Sequence, residues 1–311
     1  MAHFTPLRYP GGKGKLAPFI KRIVEDNDLI GCEYCEPYAG GAAIGIELLL
    51  QEYVSKIHIN DISRPLHAFW FSILHQTDKV LRMLRDVPLT IKSWDKQKAI
   101  YSNPDEHTNL ELGFATLFLN RTNRSGIFNA GVIGGRDQTG QWGIDARFNS
   151  SELARRIKAI AGYREKIQLT QEDAVEFLKR SLPTFSPKTL IYLDPPYYKK
   201  GKDLYYHYYE HKDHEKVAKL ITRVKRQKWI VSYDNTKAIR DIYANSRGIA
   251  YGLNYSAREI KEGSEVMFFG DNLFVSEKTE GMHALVGGAR PHRSIGFQPR
   301  AIERAVAGKV K

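Results

Sequence analysis

Apolar residues along this chain alternate between two patterns. CEYCEPYAG, starting at Cys32, is dense in apolar residues and stops at a Gly-rich turn, as a short strand does. The AAIGIELLLQE that follows consists of good helix formers. KIHIND is a second strand that ends on an acid, and RPLHAFWFSILHQTDKVLRMLRDV returns to helical spacing. KIQLTQEDAVEFLKR reads as strand, turn and helix, and TLIYLDPPYY as an apolar strand bounded by prolines. HKDHEKVAKLITRVKRQ is an amphipathic helix and KWIVSYDN another strand. An apolar run without alternation belongs to a strand covered on both faces. Strands alternating with helices predict βαβ units, hence an α/β fold with a mostly parallel sheet.

Two stretches break this pattern. From about Thr90 to Ser150 the chain holds NRTNRSGIFNAGVIGGRDQTGQWG, which has no clear period and reads as an insertion on the α/β core. From Glu277 onward, seven basic residues face three acidic ones, among Gly and Pro and without long apolar stretches. That composition predicts a mobile basic tail rather than a domain.

The 311 residues suffice for one large domain with an insertion or for two modest ones. Lys and Arg number 47 against 35 acidic residues, a net charge of +12, which favours a polyanionic partner such as nucleic acid. No apolar run reaches the ~18–20 residues of a membrane span. The start, MAHFTPLRYPGGKGK, lacks the apolar segment of a secretory signal. With only Cys32 and Cys35 available, the expected compartment is a reducing cytosol. Their CxxC spacing hints at redox chemistry or zinc. Three positions apart on a strand they point to opposite faces, and no second pair exists, so they read as two small buried hydrophobes.

Candidate chemistry concentrates at the ends of the predicted strands. LDPPYY, Leu193 to Tyr198, follows an apolar strand, and ligands of an open parallel sheet bind beyond the strands' carboxyl ends. Neither proline has an N–H, so carbonyls stay free to accept from a ligand amine. Asp194 adds an acceptor and Tyr197 a flat π-face, a set that suits a planar molecule with an exocyclic NH₂. A strand-ending turn with a surface tyrosine is the bland alternative. EPYAGGAAIG, Glu36 to Gly45, lets backbone approach a ligand at a helix N-terminus, and Asp61, twenty residues after Gly41, is suited to ribose hydroxyls. This pair serves NAD as well as S-adenosylmethionine (AdoMet), although GxGxxG is missing, and it also suits a plain turn with a capping acid. RYPGGKGKLAP lacks phosphate-loop spacing; it suits a phosphate, a carboxylate or a solvated loop. His207, His211 and His214 lie in or beside the Tyr-rich DLYYHYYEHKDH and read as exposed helix-entry residues, with no metal site expected. The Asn/Arg-rich segment Asn120 to Arg136 suits phosphate and base contacts or a solvated loop.

RYPGGK, EPYAGGAA, the NDI segment, FLNRTNRSGIFN, LDPPYY and YSAREIKEGSEVMFF, in that order, resemble the Dam-like (D12 class) DNA adenine-N6 methyltransferases. The resemblance runs from about Arg8 to Val275. EPYAGGAA stands where many relatives have Phe and Ser-Gly. The resemblance implies a doubly wound, Rossmann-like AdoMet-dependent core (1–65 and 151–276), a target-recognition insertion (66–150) and an added tail (277–311). It implies AdoMet contacts at Tyr9, Lys13, Glu36, Tyr38, Ala39, Gly40, Asp61 and Asp173, and a target base held by Asp194, Pro195, Pro196 and Tyr197. Asn120, Arg121, Asn123, Arg124 and Asn129 are the expected DNA contacts. The expected partner is double-stranded DNA with an adenine flipped out, bound by a monomer or weak dimer with no membrane and no metal. Residue chemistry alone leaves open an amino-methyltransferase of RNA or of cytosine N4, and a dinucleotide-dependent oxidoreductase.

Overall fold

β-Branched and aromatic residues dominate the predicted strands, and in the computed structural model they assemble into one sheet. The structure describes residues 4–8, 13–198, 209–251, 265–276 and 282–284. The strands are β1 (Cys32–Glu36), β2 (Val54–Asn60), β3 (Ile167–Thr170), β4 (Leu190–Leu193), β5 (Lys228–Asp234), β6 (Arg247–Tyr251), β7 (Glu265–Phe269) and β8 (Met282–Ala284). Their order is β3-β2-β1-β4-β5-β7-β6-β8. β3, β2, β1, β4 and β5 pair in parallel; β7 runs antiparallel between β5 and β6, and β8 antiparallel beyond β6. The fold is α/β with a mostly parallel sheet. The order reverses between β1 and β4, and in open α/β sheets such a switch point, at the strands' carboxyl ends, is where ligands bind.

The helices are α1 (Ala17–Asp26), α2 (Ala43–Leu50), α3 (Arg64–His75), α4 (Thr77–Asp86), α5 (Ile91–Ser102), α6 (Asn109–Thr122), α7 (Ser150–Ala161), α8 (Ala174–Ser181), α9 (His211–Ile221) and α10 (Lys237–Ile242). Alternate strand residues feed two hydrophobic clusters, one per sheet face. Tyr34, Leu190, Tyr192 and Ile230 pack with α1, α2, α3, α6 and α7. Cys35, Ile191, Leu193 and Val231 pack with α8, α9 and α10, so the sheet is doubly wound. Cys32 and Cys35 are free, buried and divided between the two clusters, as the strand reading expects. Burial pushes the Cys32 thiol up to about 11, which keeps it unreactive.

The structure departs from the sequence reading in three places. The predicted helix RPLHAFWFSILHQTDKVLRMLRDV breaks at Gln76 into α3 and α4. The stretch from Thr90 to Ser150 contains α5 and α6, which leaves irregular chain mainly between 123 and 149. α6 is buried from Leu112 to Thr122, and a helix apolar on all sides shows no amphipathic period. Its capping box, Thr108 with Glu111, was the readable start signal. α6 lies so close to α3 that a Cβ at Gly113 would stand 2.4 Å from the Ala68 carbonyl oxygen, and residues of both helices share the core of β1 and β2. Within the expected tail, Met282–Ala284 forms edge strand β8; residues 285–311 lie outside the described residues. Among the described residues no helix is long and apolar enough to cross a membrane.

Candidate active site

β1, β4 and β5 end side by side at the switch point, and each delivers an acid: Glu36, Asp194 just past Leu193, and Asp234. Asp194 accepts a hydrogen bond from Ser232 Oγ at 2.8 Å, and Tyr192 Oη lies 2.8 Å from that same oxygen. A hydroxyl has one proton, so Tyr192 donates to Ser232 and Ser232 to Asp194. Lys13 Nζ stands 3.3 Å from Asp194 Oδ1. Withdrawal from water pushes the Asp194 carboxyl up, and Lys13 opposes the shift. The Tyr198 amide donates to Asp234 at 2.7 Å, which pins the end of the Asp-Pro-Pro-Tyr turn to β5. Tyr197 donates its hydroxyl to Glu265 Oε1 at 2.5 Å, and Lys13 Nζ lies 5.3 Å from its ring centre. Glu265 also accepts from Lys13 at 2.5 Å. Burial acts against the Lys13 charge, but the two carboxylates outweigh it and hold its pKa above the ordinary lysine value.

The Gly-rich turn adjoins this cluster. Glu36 is buried, and its Oε1 accepts from the Gly45 amide at 2.9 Å and the Tyr34 hydroxyl at 3.0 Å. Burial raises its pKa to about 8, the hydrogen bonds lower it, and the Asp194 charge adds to the rise. Gly40 takes φ 49°, in the left-handed region that favours glycine, and Ala42 is strained there at 43°. The Gly40 amide donates to Asp61 Oδ2 at 2.9 Å, and the Ser63 amide to Oδ1 at 2.9 Å. Trp70 Nε1 holds the Gly40 carbonyl at 2.9 Å, and the Ala39 amide bonds the Asn60 carbonyl at 2.9 Å. Asn60 is buried, and its side chain ties the Pro37 and Glu172 carbonyls at 3.0 Å each. Tyr38 and Tyr209 share a hydroxyl contact of 3.0 Å. Asp173 lies at the same edge, past β3, where it caps α8 by accepting from the Val175 and Glu176 amides. Asp173 and Tyr209 also line a cleft of about 650 Å³ between α8 and α9, bordered by Lys179, Lys216 and Lys219, whose lining does not include Glu36, Asp61 or Asp194.

A family model for D12 class N6 adenine-specific DNA methyltransferases matches residues 9–259, most of the chain. The chain belongs to that family. This enzyme is therefore an AdoMet-dependent, adenine-specific DNA methyltransferase, which sets aside the dinucleotide-dependent and cytosine readings. No curated protein matches the chain. Among solved structures it is similar to the rRNA methyltransferase aviRa from Streptomyces viridochromogenes, with a TM-score of 0.36 and 12% identity over 84% of this chain and 86% of that one. It is also similar to a protein from Legionella pneumophila str. Philadelphia 1, with a TM-score of 0.33 and 11% identity over 85% and 86%.

Of the methyltransferase's expected site residues, Lys13, Glu36, Tyr38, Ala39, Gly40, Asp61, Asp173, Asp194, Pro195, Pro196 and Tyr197 all lie on this edge of the sheet. Tyr9 and His207 lie outside the described residues. The expected DNA contacts divide. Asn120 is buried; its side chain accepts from the Arg8 amide at 2.7 Å and donates to the Arg8 and Gly126 carbonyls at 2.7 and 3.0 Å. Arg121 donates to the Pro6 carbonyl at 2.7 Å, and burial lowers its pKa to about 9. Asn123, also buried, accepts from Trp94 Nε1 at 2.7 Å and donates to the Ile127 and Phe128 carbonyls. These three residues brace the protein's own backbone at the end of a buried helix, where polar groups must find internal partners. Arg124 and Asn129 are exposed. His214 is buried against the Tyr233 hydroxyl at 3.2 Å, which corrects its reading as an exposed residue, and burial pushes its pKa down to about 4. His211 lies 3.1 Å from the Tyr198 hydroxyl. Among the described residues no group of His, Cys, Asp or Glu has the arrangement to hold a metal ion.

Sequence reasoning missed Glu265, Ser232, Tyr192 and Asn60. Glu265 and Asn60 had a visible signal, a polar residue at the end of an apolar strand at the ligand edge.

Proposed function

We propose that this methyltransferase acts on double-stranded DNA as a monomer or weak dimer, flips its target adenine out of the helix, and methylates N6 by direct in-line displacement. The observation that carries the reading is the junction of Asp194, Tyr197 and Lys13 beside a buried Glu36 at the switch point. AdoMet carries a sulfonium and an ammonium group. Among the described residues Glu36 has no cationic side chain paired with it, so a cationic ligand suits it. The carboxylate of Asp61, oriented at the end of β2 by the Gly40 and Ser63 amides, is the proposed acceptor for ribose hydroxyls. Tyr9, Lys13, Tyr38, Ala39, Gly40 and Asp173 complete the proposed cofactor contacts.

Bound there, AdoMet supplies an electrophilic methyl group. The amino group of adenine is paired and stacked in a duplex, so the base must leave the helix. Tyr197 stacks on it, replacing base stacking worth roughly 1–3 kcal/mol. Asp194 and the Pro195 carbonyl accept the two amino hydrogens, with Pro196 fixing the turn, and aim the nitrogen lone pair at the methyl. Lys13 and Ser232 hold Asp194 in place, and burial suits Asp194 to take the proton the methylated amine sheds. Catalysis is then chiefly positioning, with stabilisation of the charge developing on the amine. Arg124 and Asn129, exposed on the loop after α6, meet the DNA, and the net charge of +12 adds counterion-dependent attraction.

The test is incubation with labelled AdoMet and unmethylated genomic DNA, followed by nucleoside analysis. Label in N6-methyladenine is the expected result; label confined to N4-methylcytosine or to RNA would refute the reading.

A further inference from the structure

Glu265 opens β7, opposite Asp234 of β5 and Tyr251 of β6, and only 10% of its side chain is exposed. A carboxylate so enclosed needs donors, and three reach it. The Tyr197 hydroxyl meets Oε1 at 2.5 Å, while Lys13 Nζ and the Tyr251 hydroxyl meet Oε2 at 2.5 and 2.6 Å. Two of these donors belong to the methyl-transfer site. Tyr197 offers the stacking face, and Lys13 reaches on to Asp194 at 3.3 Å. A tyrosine ring has two free torsions, and anchoring its far end to a rigid strand removes that freedom. The same carboxylate keeps the lysine charged and centred between two acids.

We propose that Glu265 is a positioning residue for methyl transfer, which from β7 sets the plane of Tyr197 through its hydroxyl and seats Lys13 against Asp194. Glu265 itself does not touch the base. The assignment rests on the reaction proposed above, with Tyr197 as the stacking face. Its role is to have the aromatic face and the Asp194 acceptor in place before the adenine arrives, so its loss acts on turnover more than on DNA affinity.

The experiment compares the wild type, Glu265→Gln, Tyr197→Phe and the double variant on a duplex carrying a site that the wild type methylates. Misplacement of this kind costs roughly ten- to a hundred-fold in rate. Glu265→Gln and Tyr197→Phe should each lower kcat at least about ten-fold, with KM for DNA within about three-fold of wild type. The double variant should be no slower than Glu265→Gln alone, because both changes break one linkage. With 2-aminopurine in place of the target adenine, both variants should fluoresce more brightly than the wild type, since a poorly seated Tyr197 quenches the flipped base less. If Glu265→Gln does not fold, Tyr197→Phe, which removes a single oxygen, carries the test. Wild-type kcat in either single variant, or losses that multiply in the double, would overturn the proposal while leaving the reaction intact. A wild type that methylates no DNA adenine would overturn the reaction and this assignment with it.

Discussion

Glu36 offers the sharpest quantitative test of the cofactor site. Burial raises its pKa from an ordinary 4.5 to about 8. Between those values the folded protein without cofactor binds more protons than the unfolded chain. The contribution of Glu36 to stability is thus complete below 4.5 and is lost as the pH rises through 8. At pH 7 the carboxyl is about nine-tenths protonated, and ionising it to meet a cationic ligand costs about 1.4 kcal/mol. AdoMet binding at pH 7 should therefore release close to one proton, and apparent affinity should rise about ten-fold per unit between pH 6 and 7, levelling off above 8. The measurement is titration calorimetry at fixed pH in buffers of different ionisation enthalpy, whose slope counts protons directly. Glu36→Gln should bind more weakly, release no proton and lose the pH dependence. Its melting temperature should also fall less than that of the wild type between pH 5 and 8. Proton uptake by the wild type, or equal release by both proteins, would refute the argument that Glu36 faces the cationic part of the cofactor.

Four further outcomes are expected. Asp194→Ala should lower turnover by roughly 10²–10³-fold, the scale of losing one aligned group at a reacting centre, while AdoMet affinity by calorimetry stays near wild type. Asn120→Ala should lower the melting temperature, since it strands buried backbone groups at about 1–3 kcal/mol each. Arg124→Ala should leave the melting temperature unchanged and reduce the salt slope of DNA binding by about one. Gly113→Ala should destabilise the fold by about 1–3 kcal/mol, because its Cβ meets the Ala68 carbonyl oxygen at 2.4 Å, and a thermal melt reads the loss.

Much of the site is legible in the sequence. LIYLDPPYY and EPYAGGAA carry their meaning locally: an unbroken apolar run means a strand covered on both faces, and its end marks the ligand edge. Strand alternation likewise separated Cys32 from Cys35, since side-chain direction along a strand depends only on spacing. α6 was harder to see because burial on every side erases the period that marks a helix, although its capping box stood in the sequence.

What only the tertiary structure decided concerns polar groups, whose role depends on what lies opposite them. Asn120, Arg121 and Asn123 look like DNA contacts in a basic segment, yet they bond the backbone at residues 6–8 and in the loop after α6. Glu265 looks like one acid before a strand until β7 inserts between β5 and β6 and brings it to Lys13 and Tyr197, 252 and 68 residues away. Local periodicity determines which elements form and which face is apolar. The order in which strands pair, set by packing across the whole sheet, determines which charges meet at its edge.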